Sequence, residues 1–267
     1  MLAVAFAAHH LTIYYLHFKA NLQAMLRLTF YLIVACILFS IPVSGQTSPE
    51  DSAYLSKAKN NTLRHYFDAI KETAPVFQGR EFIPYGPQIK GTPYFLFAEP
   101  VSGTLEYNGI EYPNIKFAYD MVSDKVIVSN YTNEYLMIAP GEKIRRFQIG
   151  GHNFFRPEPD IRFRGLTDTG FYEILHPGKT MVIARKTKQV QYYPGEDNSY
   201  AFRTYISYYV YDNDKFREVS SQKDLLSIYK DRADDVRKYL RGQKLSFKKN
   251  TEETLKRSAK FYDEQIK

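Results

Sequence analysis

Between residues 79 and 219 the chain sets short apolar runs between clusters of Gly, Pro, Asn and Asp. That grammar predicts strands and turns. The organising stretch is 107–128, where two strand patterns flank turn residues. Asn108-Gly109 predicts a type I′ hairpin turn, because both central positions need positive φ. Ile115, Phe117 and Tyr119 then alternate with Lys116 and Ala118, as in a strand with one buried face. Further strands are predicted at 81–85, 92–98, 104–107, 125–129, 134–138, 143–149, 171–175, 180–187, 200–211 and 216–219. In 200–211 one face holds Phe202, Ile206, Tyr208 and Val210, and the other Arg203, Tyr205, Ser207, Tyr209 and Tyr211. No helical pattern interrupts the series, so the prediction is an antiparallel meander and not βαβ units.

Helical spacing brackets the strands. Ser48-Pro49-Glu50-Asp51 is a start signal, Leu63, Tyr66, Phe67 and Ile70 recur at helical intervals, and Ala74-Pro75 stops the pattern. After the strands, Ser221 and Asp224 resemble a capping box. Leu225, Leu226, Ile228, Tyr229, Val236, Tyr239 and Leu240 form an apolar stripe interrupted near Asp231, and Gly242 fits the C-cap. A last helix opens at Asn250 and buries Leu255, Ala259, Tyr262 and Ile266. The predicted fold is mainly β (α+β): a large curved antiparallel sheet or open barrel, with an N-terminal helix and C-terminal helices packed on it. Residues 46–78 are the helical lead-in, 79–219 the β domain, and 220–267 the helices of that same domain.

The front end reads as targeting sequence. Met25 and Arg27 precede 14 uncharged residues, 28–41, a length suited to a signal peptide and short for a membrane span. Val43, Ser44 and Gly45 place small residues ahead of cleavage before Gln46. On this reading 25–45 is the signal, 1–24 precedes the true start, and the protein is exported to the periplasm, the outer membrane or beyond. An uncleaved anchor and a lipoprotein acylated at Cys36 are the alternatives.

Composition changes this picture in three ways. The chain has 23 Tyr and 19 Phe but no Trp, which favours strands. Its single cysteine lies in the apolar run, so a chain cut at Gly45 has no disulfide, no thiolate chemistry and no Cys-ligated zinc. Removing 1–45 takes Lys19 and Arg27 and no acid, lowering the formal net charge from +7 to +5. The excess is spread along the chain and gives no footprint for nucleic acid.

Catalytic and metal motifs are absent. His65, His152 and His176 stand at no ligand spacing, and neither a nucleophile elbow nor a phosphate loop occurs. No catalytic residue, metal or cofactor is predicted. Asp120 and Asp124 have the composition of a glycosidase pair, but they lie where a strand must turn, and Asp serves turns through side-chain bonds to the backbone. The irregular stretch 150–164 draws more attention. His152, Phe154, Phe155, Arg156, Arg162 and Arg164, with Arg145 and Arg146 nearby, predict a basic, aromatic-edged binding loop, against the alternative of a Gly bulge followed by solvated arginines. Tyr205 and Tyr209, on one face of the Tyr-rich strand, complete the candidate ligand-binding set; packing under the C-terminal helices is the other use of that strand.

The order of features resembles a group of exported β-rich proteins of Bacteroidota. Gly79-Arg80-Glu81-Phe82, Gly91-Thr92-Pro93-Tyr94-Phe95, the 107–128 segment, Gly170-Phe171-Tyr172-Glu173 and the helices from Asp224 carry the resemblance, which spans nearly all of 60–267. It implies export and one continuous domain, and transfers no activity. The functional expectation is a non-enzymatic cell-envelope binding or assembly protein for lipid, glycan or an outer-membrane protein. A hydrolase of envelope polymers using the 150–164 loop, and a structural subunit of an outer-membrane complex, are the alternatives.

Overall fold

The computed structural model describes residues 73–158, 163–166, 168–195 and 198–265, with Leu55, Ala58, Thr62, Tyr66, Ala69 and Ile70. The chain divides into two compact units, 1–64 and 65–267, and the second carries every strand named below. The targeting region, the helix start at Ser48 and the closing Ile266 lie outside the described residues. The six separate described residues before 73 are helical.

Twelve strands form one sheet: β1 (Arg80–Glu81), β2 (Ile89–Lys90), β3 (Val101–Tyr107), β4 (Ile110–Asp120), β5 (Lys125–Ser129), β6 (Leu136–Ile138), β7 (Ile144–Ile149), β8 (His152–Phe155), β9 (Tyr172–His176), β10 (Val182–Tyr193), β11 (Ser199–Asp212) and β12 (Lys215–Glu218). Their order is β1-β6-β5-β4-β3-β7-β8-β9-β10-β11-β12, antiparallel throughout, while β2 runs parallel to β11 beside Tyr200 and Ala201. Two meanders thus join where β7 pairs with β3. Asn108 and Gly109 take the positive φ values, 52° and 76°, that a tight β3–β4 turn requires.

The sheet stays open but is strongly curved. Tyr119 of β4 and Phe154 of β8 lie three strands apart, about 14 Å in a flat sheet, yet their ring centroids are 5.3 Å apart. At the same end the Lys188 N–H of β10 donates to the Met121 carbonyl just after β4 at 2.9 Å. The inner face is packed with rings: Phe147 stacks on Phe154 at 4.7 Å, and Phe171 meets Phe147 edge-on at 5.0 Å. Burying such rings is the main source of stability here.

Further along the sheet, Val182 and Val210 pack under three helices, α1 (Gln222–Ile228), α2 (Ala233–Gly242) and α3 (Thr251–Gln265), through Leu225, Tyr229, Val236, Leu240, Leu255 and Ala259. Ser221 caps α1 by accepting the Asp224 N–H. A short 3-10 turn, Lys230–Arg232, separates α1 from α2 at the predicted break. α3 is pinned at both ends. Glu252 meets Lys186 of β10 at 3.1 Å, and Asp263 accepts the Thr180 N–H at 2.9 Å while facing His176 at 3.0 Å. The outer face has its own core of Phe155, Tyr172, Ile183, Tyr209 and Phe216.

Several local expectations are corrected. The predicted strand 81–85 shrinks to β1, which ends three residues before Pro84, a residue that cannot donate to a ladder. The predicted strand 92–98 is reduced to a single bridge, Tyr94 with Asp120, because Leu96 turns to φ 57°. The 150–164 stretch is not one loop: Gly150 and Gly151, at φ 57° and 82°, turn β7 tightly into β8. Gly242 is the last residue of α2, and the left-handed position falls at Lys244.

Candidate functional site

Arg185 of β10 is the centre of a buried polar network. Register places it opposite Tyr172 of β9, and its guanidinium reaches groups far apart in the chain. Nε donates to Asp168 at 2.9 Å, and Nη1 donates to Asp124 at 3.0 Å, the Tyr119 hydroxyl at 3.1 Å and the Phe171 carbonyl at 3.2 Å. The Tyr119 hydroxyl donates to the same Asp124 oxygen at 2.6 Å, joined by the Phe171 N–H at 3.3 Å. Burial and then the Asp124 charge hold the Tyr119 pKa well above the usual phenol range, so it stays a neutral donor. Burial works against a charged Arg185, but its acidic neighbours outweigh this and raise its pKa. Gly170 allows the approach, since a Cβ there would meet Arg185 Nη2 at 2.1 Å.

Beside this network lies a cleft of ≈ 580 Å³ between β1, the β4–β5 turn, the 139–142 segment and the residue after β8. Arg80, Lys125 and Arg156 bring positive charge to its lining, and Asp124 and Glu142 negative charge. Arg156 is held firmly, with its guanidinium carbon 4.2 Å over the Phe171 ring and Nη2 3.7 Å from Asp124. Among the described residues its buried Nε has no hydrogen-bond partner. Asp120 at the strand end serves the turn, accepting from the Val122 N–H at 2.9 Å and from the hydroxyls of Tyr85 and Ser123.

A second polar line crosses the inner face between the ring core and the helices. His152 Nδ1 pairs with the buried Glu173, whose other oxygen meets Lys186 Nζ, and Lys186 continues to Glu252 of α3. Phe95 lies edge-on to the His152 ring at 5.1 Å, with Lys186 Nζ 5.6 Å from its centroid. Burial opposes the charge on Lys186, but the two glutamates more than compensate and raise its pKa. The chain of charges joins β8, β9, β10 and α3. Among the described residues no group of three or more His, Cys, Asp or Glu could hold a metal ion.

Neither a protein-family model, a curated protein nor a solved structure matches the chain. The function therefore has to be read from these sites alone.

The residues of the predicted binding set are dispersed. Phe154 is buried in the inner ring core, and Phe155 points to the outer core, against Tyr172 and Phe163. Tyr209 is buried edge-on to Tyr172 at 5.8 Å, while Tyr205 is exposed beside Arg203. Tyr208 packs with the helical core, so the two faces of β11 serve two different cores. Arg164 is exposed and Arg162 lies outside the described residues. Arg145 pairs with Glu158 at 2.9 Å. Two outer-face grooves of ≈ 300 and ≈ 290 Å³ run past Glu106 and Arg146. Of the set's described residues, Arg156 alone lines the ≈ 580 Å³ cleft, and it also borders the ≈ 300 Å³ groove. Sequence reasoning missed Arg185, Asp168, Arg80 and Lys125. Strand register places Arg80, Lys125 and Arg185, and Asp168 reaches Arg185 from the loop before β9.

Proposed function

We propose that the protein is an exported, non-enzymatic binding protein of the cell envelope that holds a polar ligand in the cleft beside Arg156. Export rests on the signal pattern at 25–45. The single observation that carries the binding reading is the cleft itself: ≈ 580 Å³, within the range of small-ligand sites, and lined by charged side chains. Among the described residues Phe117, Phe147, Phe154 and Phe171 fill the inner face, which supports the cleft over an interior site. A sheet packed that way leaves a lipocalin-like carrier no lumen.

The test is native mass spectrometry of the protein purified gently from its own envelope. Wild type and Tyr205→Ala retain an added small mass under this reading, and Arg156→Gln loses it. A bare mass in all three, or an added mass that survives Arg156→Gln, contradicts the proposal.

One observation favours a second reading, hydrolysis of an envelope polymer. His152 is oriented by a buried carboxylate, as a general base is. Glu173 is also tied to Lys186, which serves the attachment of α3 equally well. Loss of polymer turnover in a folded His152→Ala variant would support hydrolysis; unchanged turnover would remove it.

A further inference from the structure

Resting on the reading of the cleft as the ligand site, we infer that the group it recognises is a phosphate-ester oxyanion. Three cationic side chains reach the cleft from separate chain segments: Arg80 on β1, Lys125 at the start of β5, and Arg156 after β8. Among the described residues Arg80 and Lys125 take part in no side-chain hydrogen bond or ion pair with another residue. Asp124 competes weakly for them, because Arg185, the Tyr119 hydroxyl and the Phe171 N–H already satisfy one of its oxygens. Counting Arg156, Arg185, Asp124 and Asp168 as a balanced set, among the described residues Arg80 and Lys125 face one further acid in the lining, Glu142. The lining is left with an excess positive charge, which a phosphodiester or the singly ionised monoester matches.

Geometry favours phosphate over carboxylate. A carboxylate offers its lone pairs in one plane, whereas a tetrahedral oxyanion accepts from several directions at once, which suits a lining whose cations come from three chain segments. Arg156 supplies the oriented donor. Its guanidinium is fixed against the Phe171 face, so little side-chain freedom remains to be lost on binding. Lys125 adds a compact ammonium charge and Arg80 a second guanidinium to the lining. The phosphate can belong to a soluble metabolite or glycan, or to a lipid head group; the chemistry is the same.

The experiment is calorimetric titration of the purified protein with sn-glycerol 3-phosphate, with succinate as the carboxylate control. In parallel, sedimentation is measured with phosphatidylcholine vesicles with and without phosphatidylglycerol. The inference expects saturable, salt-sensitive phosphate binding that weakens roughly tenfold in Arg156→Gln, by less in Lys125→Gln, and not at all in Arg164→Gln. Binding of the soluble ester alone identifies a soluble source, and Arg156-dependent sedimentation with phosphatidylglycerol identifies a head group. The variant Lys125→Gln keeps the test decisive if Arg156→Gln unfolds. Equal binding of succinate, or no saturable phosphate binding in either arm, overturns the inference. An envelope ligand that carries no phosphorus yet depends on Arg156 would defeat the phosphate assignment and leave the cleft reading intact; one independent of Arg156 would defeat both.

Discussion

Arg185 Nη1 and Asp124 Oδ1 stand 3.0 Å apart although 61 residues separate them in the chain. This contact joins the β4–β5 turn to β10 across the curved sheet, and it occupies the carboxylate that forms one wall of the cleft. Fold and site therefore share one ion pair.

Replacing Arg185 with Met should cost about 3 kcal/mol in urea unfolding. Removing one partner of a buried pair leaves the other charge uncompensated: Asp124 keeps the neutral donors Tyr119 and Phe171 N–H, but its nearest remaining cation is Arg156 at 3.7 Å. Arg185→Lys should recover part of this, since an ammonium cannot span Asp168 and Asp124 as the guanidinium fork does. Equal stability of Arg185→Met and wild type would mean that the network holds nothing together.

Acid stability carries the signature of Asp168. Burial disfavours its charge, but the hydrogen bond and charge of Arg185 outweigh that and hold its pKa below the ordinary value of 3.8. A carboxyl group depressed in the folded state stabilises fully above its unfolded pKa, and that contribution is lost as pH falls through the folded pKa. Melting curves from pH 6 down to the lowest pH at which the fold survives should show Asp168→Asn losing the most against wild type at the upper end, with the gap closing below about pH 4. A gap independent of pH would show that the carboxylate charge is not what matters.

Lys186→Met should be among the most damaging substitutions, by about 3–5 kcal/mol, because Glu173 is only 2% exposed and would face His152 alone. Hydrogen exchange should also quicken in α3, which loses its anchor near Glu252 while keeping that at Asp263. Glu252→Gln should cost under about 1 kcal/mol, its side chain being a third exposed. Unchanged exchange in α3 after Lys186→Met would contradict the pinning.

Phe147→Ala should destabilise by about 3–5 kcal/mol through loss of a buried ring stacked on Phe154. Tyr205→Ala, on an exposed part of β11, should stay within about 0.5 kcal/mol. Chemical denaturation of the pair separates core from surface among aromatic positions that look alike in the sequence.

The parts of this fold that the sequence made legible are those governed by local physics. Asn108-Gly109 demands one turn type whatever surrounds it, and the alternation in 200–211 sorted Tyr208 and Tyr209 onto faces that meet different cores. The strand β8 was not legible, because the sheet there is covered on both sides. Phe154 and Phe155 are both buried, so the alternation that marks a strand with one buried face is missing. Two adjacent glycines then looked like an irregular loop when they form a tight turn. The run Tyr94-Phe95-Leu96-Phe97 failed the other way: its composition suits a strand, but Leu96 adopts a left-handed conformation. The cleft was least accessible of all. Arg80, Lys125 and Arg156 are unremarkable where they stand, and they converge only once β1 joins β6 and β8 folds back on β7.

The central claim is that the ligand sits against Lys125 and Arg156, and lysine labelling tests it most directly. The protein is exposed to an amine-acylating reagent with and without the envelope fraction it retains, and modification is read by mass spectrometry at each site. Ligand in the cleft should protect Lys125 and leave Lys215, on the exposed edge of β12, labelled as before. Equal labelling of Lys125 in both samples, with ligand shown to be bound, would place the binding site elsewhere.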